Sequence, residues 1–127
     1  MEDINIVGCK GVYIIPAVSF SSETGECEIS GESFLEETSK FYTPLLTWIK
    51  EYVVDHNKVN FTFKLTYFNT STSKWILNIL TELRRFELSG GSVNITWFYH
   101  EDDIDMRDDI LDYMNDTGLS IDLRSFE

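Results

Sequence analysis

Basic residues are scarce in this chain: 10 Lys and Arg stand against 22 Asp and Glu among 127 residues, giving a formal charge of −12 at pH 7. Proteins that bind nucleic acid displace counterions from phosphates with clustered Lys and Arg, and anionic membrane surfaces ask for the same footprint. Neither nucleic acid nor membrane is therefore an expected partner. An acidic balance promotes solubility and steers basic protein surfaces instead. Cysteine is equally sparse. Cys9 and Cys27 are the two thiols, far apart in a domain large enough to need no covalent staple, so both are expected reduced and structural.

No uninterrupted apolar run approaches membrane-spanning length, and MEDINIVGCK has no basic stretch leading into an apolar core, so a cytoplasmic location is expected. Without a secretory signal, the N-x-S/T triplets at Asn60, Asn69, Asn94 and Asn115 are discounted as glycosylation sites. The two prolines, Pro16 and Pro44, fall inside patterned segments, and no repeat, low-complexity tract or linker divides the sequence. One domain spanning 1–127 is the expectation. His56 and His100 are widely separated. No Cys/His pair has metal-ligand spacing, and no Gly-rich phosphate loop or nucleophile elbow is present. None of these residues points to an enzyme, a cofactor or a metal.

What the chain does have is pattern. Val59, Phe61, Phe63, Leu65 and Tyr67 alternate with polar residues, the period of a strand with one buried face. The alternation recurs at Val93, Ile95, Trp97 and Tyr99 and at Leu119, Ile121 and Leu123. Val12–Phe20 and Glu26–Gly31 flank the turn-rich SSETG and read as an antiparallel hairpin. Three helical patterns intervene. Ser33 and Glu36 form a capping box ahead of Phe41, Leu45, Trp48 and Tyr52, with Pro44 expected to kink the helix about one turn in. A second helix runs from about Ser71 to Leu88, stopped by Gly90-Gly91, and a third from about Asp103 to Asp116, ending near Gly118. The order is β-β-α-β-α-β-α-β. Strict alternation in the strands places helices on one sheet face only, which predicts an α/β two-layer sandwich with a mixed sheet.

Carboxylates gather at Glu101, Asp102, Asp103, Asp105, Asp108, Asp109 and Asp112. Such a run can bind Ca²⁺ or Mg²⁺, and a small metal-dependent hydrolase using it is one alternative function. It lacks the glycine and the terminal bidentate Glu of an EF-hand loop, while acidic first turns complement a helix dipole. A solvated helical face that docks a basic partner accounts for it better.

The stretch YFNTSTSK, residues 67–74, lies where the strand 59–67 meets the second helix. Asn, Ser and Thr are the favoured N-caps, because their side chains accept hydrogen bonds from the orphan amides of the first turn. One such residue suffices. Asn69, Thr70, Ser71, Thr72 and Ser73 all qualify, and the end of a strand before a helix N-terminus also tolerates a phosphoryl group.

This hydroxyl-rich motif, with the amphipathic helix after it, resembles that of the SiaC family of regulatory phosphoproteins, small bacterial single-domain proteins. Pro16, Val18, Phe20, Gly25, Ile29, Gly31 and Ser33, then FYTPLLTWIKEY at 41–52 and HEDDIDM at 100–106, are similar in order and spacing to the family's pattern. The chain departs from it at Leu35, Glu36 and Glu37, where the family tends to have Pro-Glu-Asn, and in lacking a glycine soon after Met106. The resemblance implies a STAS-like domain whose phosphorylatable threonine maps to Thr70, with Ser71 as the alternative. It also implies a Ser/Thr kinase, a PP2C-type phosphatase, and a diguanylate cyclase, an enzyme of c-di-GMP signalling, that the unphosphorylated form binds and activates. A STAS-type antagonist of an anti-sigma factor is the other binding-module reading.

Overall fold

The computed structural model describes residues 1–127. The hairpin comprises β4 (Ala17–Phe20) and β5 (Glu26–Ser33), and the chain continues through α1 (Thr38–Asp55), β6 (Lys58–Phe68), α2 (Thr70–Leu88), β7 (Ser92–His100), α3 (Ile104–Thr117) and β8 (Asp122–Phe126). That is the order expected from the patterns. Three short strands precede it: β1 (Ile4–Ile6), β2 (Cys9–Lys10) and β3 (Ile14–Ile15). They escape a reading based on alternation because two or three residues are too few to show a period. The expected first strand from Val12 is thus divided, with Ile14–Ile15 pairing onto Cys9–Lys10 in a separate ribbon.

The main sheet has the order β1-β4-β5-β6-β7-β8. The β1–β4 and β4–β5 pairs are antiparallel, whereas β5 through β8 are parallel neighbours in chain order. Each parallel step uses a helical crossover, and such crossovers are almost always right-handed. Three steps advancing in one direction across the sheet therefore put α1, α2 and α3 on the same face, with α1 against α2 and α2 against α3. The core lies between the layers as one cluster of 25 buried residues, including Phe20, Ile29, Phe61, Phe63, Leu65, Ile79, Leu80 and Trp97. Burial of this apolar surface is the main stabilising term. The opposite sheet face carries Ser19, Lys64, Thr66 and Asn94, all exposed.

Two expectations are corrected. Ser33 does not cap α1: it is the last residue of β5, fully buried, and the helix begins at Thr38 with Glu37 in the cap position and no side-chain cap bond. Strand pairing of Ser33 with Phe68 commits its backbone to the sheet, so the helix starts only after the chain has turned away. Tyr67 does not continue the buried face of β6 but is 49% exposed. The register against β5 slips between Gly31 and Glu32, pairing Leu65 with Gly31 and Tyr67 with Glu32 and leaving Thr66 unpaired. One extra residue reverses the alternation beyond it. Phe68 consequently packs against Trp97 and Tyr113 on the helical side. Pro44 lies within α1, which runs on through it to Asp55.

Candidate functional site

The parallel arrangement brings the carboxyl ends of β5, β6 and β7 to one edge of the molecule, where Ser33, Asn69 and His100 terminate or follow their strands. Loops at this edge are the common location of function in sheets of this kind. Asn69 caps α2: its Oδ1 accepts from the Thr72 backbone N–H at 3.1 Å. One cap therefore satisfies the local requirement, as expected.

The other hydroxyls divide between two roles. Thr72 is fully buried, and its Oγ1 lies 2.9 Å from Ser33 Oγ, which in turn is 2.8 Å from the Tyr42 hydroxyl. A chain of three hydroxyls thus joins α2, β5 and α1 in the interior. Ser71 Oγ donates to Asn69 Oδ1 at 3.0 Å and accepts from Thr38 Oγ1 at 2.8 Å. Ser73 Oγ meets the Tyr113 hydroxyl at 2.7 Å, and that hydroxyl also reaches the Ser73 carbonyl at 3.2 Å. Burial pushes the Tyr42 and Tyr113 phenols up to about 12, only partly offset by their hydroxyl partners, so both are neutral at physiological pH. Thr70 is the exception. It is exposed at the first position of α2, and its Oγ1 has no hydrogen-bond partner in the chain, whereas the three hydroxyls after it are all engaged. Sequence reasoning placed Asn69, Thr70, Ser71, Thr72 and Ser73 together but missed Ser33, Thr38, Tyr42 and Tyr113. No local signal marks those four, because their partners lie 33 to 40 residues away or, for Tyr42 and Ser33, across a strand-to-helix turn.

Beside Thr70 runs an open groove of about 690 Å³ between the start of α2 and the length of α3. Thr70, Ser71, Ser73 and Lys74 form one wall, Asp109, Asp112 and Asp116 the other, with Tyr113 between them. Of the acidic run expected to be a solvated helix face, Asp109 and Asp112 stand in that second wall. Burial, then Asp112, Asp105, Asp103 and Asp108, push the Asp109 carboxyl up. Asp103 is spent as the N-cap of α3, accepting from the Met106 N–H at 3.0 Å. No three His, Cys, Asp or Glu side chains converge closely enough to hold a metal ion.

The other candidates are dispersed. His56 caps the end of α1, with Nδ1 2.8 Å from the Tyr52 carbonyl, and His100 ends β7, its Nδ1 facing the Asp102 N–H at 3.1 Å. Both cysteines are free thiols, Cys9 exposed and Cys27 buried. Burial pushes the Cys27 thiol up to about 12, far from a nucleophilic thiolate. No helix is long and apolar enough to cross a membrane.

Comparison with known proteins gives the same outline. The model of the SiaC family of regulatory phosphoproteins matches residues 10–126. A curated protein of Pseudomonas aeruginosa strain UCBPP-PA14, itself uncharacterised, is 25% identical over 100 residues, covering 78% of this chain and 77% of its own. Among solved structures, SiaC of Pseudomonas aeruginosa superposes with a TM-score of 0.88 at 20% identity, over 99% of this chain and 100% of that one. The SiaC chain in the crystal structure of the diguanylate cyclase SiaD with its activator SiaC, from the same organism, gives 0.85 at 19% identity over 95% and 100%. At these identities the superpositions establish the mixed α/β fold with its sheet and three helices.

Proposed function

Because the chain belongs to the SiaC family of regulatory phosphoproteins, we propose that it is a non-catalytic phospho-switch which, unmodified at Thr70, binds and activates a diguanylate cyclase and is released from it when Thr70 is phosphorylated. The observation that carries this reading is the exposed, unengaged hydroxyl of Thr70 at the N-terminus of α2, next to three hydroxyls already committed to neighbours. A kinase needs an acceptor that enters its site without dismantling the fold. Ser71 is the alternative acceptor, but its proton is held by Asn69 and its oxygen by Thr38. The cyclase is inferred from the complex in which the SiaC of Pseudomonas aeruginosa is the activator of SiaD.

In the forward step Thr70 Oγ1 takes the γ-phosphoryl group of ATP, its proton passing to a base of the kinase as ADP leaves. A PP2C-type phosphatase restores the hydroxyl by hydrolysis. The phosphoryl group adds about −1.5 to −2 charges, and desolvating that charge against an apolar or acidic partner surface opposes binding. The chain acts as one domain over residues 1–127, a reading supported by its single buried cluster, and works in the cytoplasm, where a kinase finds ATP.

Co-expression with the cognate kinase tests the site. The intact mass should rise by one phosphate, with fragment spectra placing it on Thr70. Phosphate on Ser71 would move the acceptor by one residue, and phosphate outside 69–73 would overturn the reading. Affinity for the cyclase should fall about a hundredfold on phosphorylation, about 2.8 kcal/mol. Thr70→Ala should bind as the unmodified protein does but escape control.

A further inference from the structure

Sparse burial and a concentration of carboxylates set α3 apart from the other helices. It buries only Met106, Ile110 and Tyr113, whereas α1 and α2 each bury six residues. Its sequence IDMRDDILDYMNDT carries five aspartates against Arg107, and no basic residue occupies its last turn. Asp116 therefore sits near a helix end whose dipole already disfavours negative charge. Like charges spaced three and four apart along a helix repel one another, and Asp112, Asp105, Asp103 and Asp108 add to burial, the larger cause, in pushing the Asp109 carboxyl up. Polar attachment to α2 rests on the contact between Tyr113 and Ser73.

The stripe Asp109, Asp112 and Asp116 lines the same groove as Thr70. Lys74 is the one cation lining that groove, four residues after Thr70 on α2, and it forms no ion pair with any carboxylate. Resting on the reading of Thr70 as phosphoacceptor, we propose that α3 is the element that senses its state: a phosphoryl group on Thr70 repels the Asp109–Asp112–Asp116 stripe and loosens α3 from α2, with Lys74 as the counter-charge that limits the effect. The modification then alters the molecule's shape beside the phosphosite as well as its surface charge. A partner that docks across α2 and α3 meets a displaced helix.

Hydrogen exchange by mass spectrometry on the full chain, with phosphothreonine genetically encoded at position 70, tests this directly. Amides of α3 should exchange about tenfold faster than in the unmodified chain, while those of β6 and the middle of α2 keep their rates. The acceleration should shrink in 1 M salt, where the screening length is about 3 Å. It should vanish in the phosphorylated variant carrying Asp109→Asn, Asp112→Asn and Asp116→Asn, and grow in Lys74→Gln. Equal α3 exchange with and without phosphate would overturn the proposal, as would an acceleration that persists undiminished in the triple Asn variant. Since the phosphate is encoded, the result does not depend on which residue a kinase selects. Failure here leaves the phospho-switch standing as a purely surface effect, and failure of the kinase experiment leaves the mechanical coupling intact.

Discussion

Five adjacent polar residues perform three tasks: Asn69 caps, Ser71, Thr72 and Ser73 attach α2 to its neighbours, and Thr70 is left with its hydroxyl free. Replacing a hydroxyl of the interior chain strands its partners. Ser33→Ala removes the bridge between Tyr42 and Thr72, and leaving buried donors unpaired costs about 1–3 kcal/mol. Thr70→Ala, at an exposed position without a partner, should stay within about 0.5 kcal/mol. Urea titration of the two variants makes the comparison, and equal losses would make Thr70 structural. The buried phenols add a pH signature. Tyr42 and Tyr113 are raised from an ordinary value of 10.0 to about 12 in the folded chain. Their neutral forms are thus favoured by folding, a contribution fully present below pH 10 and lost as the pH climbs towards 12. The urea midpoint should fall across that window, and less steeply in Tyr42→Phe. From residues 69–73 alone, Thr70 and Ser71 are equivalent small hydroxyls at a helix start. What separates them is the engagement of Ser71 by Asn69 and by Thr38, the latter 33 positions upstream.

Among the elements, α2 and α3 begin with a side-chain cap and α1 does not. The serine placed to cap α1 is claimed by β5 and the interior, and Glu37 stands in the cap position with φ −120° and ψ 84°. Asp103 caps α3 from a similar backbone, φ −88° and ψ 80°. Its shorter side chain returns to the N–H three residues on, which a glutamate's extra methylene overshoots. Glu37→Asp should therefore stabilise the protein by about 0.5–1 kcal/mol, read as a higher urea midpoint with an unchanged slope. An unaltered midpoint would show that the first turn of α1 is already satisfied by other means. The end of α3 was legible in the sequence, since Gly118 adopts the left-handed conformation, φ 79°, that glycine accepts readily. The slip in β6 was not. Alternation from Val59 to Tyr67 reads without a break, and only pairing with β5 reveals that Thr66 is supernumerary.

At the scale of the whole molecule, the one-sided helical layer follows from the chain order of β5 to β8 and makes the two sheet faces energetically unequal. Phe63 is fully buried, stacked 4.4 Å from Trp97, so Phe63→Ala should cost about 3–5 kcal/mol through lost burial and a cavity. Thr62, next to it on the open face, should cost less than about 1 kcal/mol as Ala, the span of strand preference. Chemical denaturation of both variants checks the layer count, because comparable losses would require helices on each face. The unequal charge distribution acts at the same scale. A net charge of −12 includes an acidic stripe of α3 that lines the same groove as Thr70, so encounter with a basic surface and response to phosphate share one region.

Periodicity determined the element order, the buried faces of most strands and the position of Asn69 before a helix, because alternation and capping are written in neighbouring residues. Net charge removed nucleic acid from the expected partners for an equally local reason, the want of lysine and arginine. Tertiary structure alone decided that Ser33 turns inward, that Tyr67 turns outward, that three of four hydroxyls are spent, and that aspartates of α3 line the same groove as Thr70. Each of these depends on contacts between segments brought together by the parallel strands β5, β6 and β7 and the helices joining them. Sequence spacing carries no record of such a distance, and the unspent hydroxyl of Thr70 is recognisable only once the partners of its neighbours are in place.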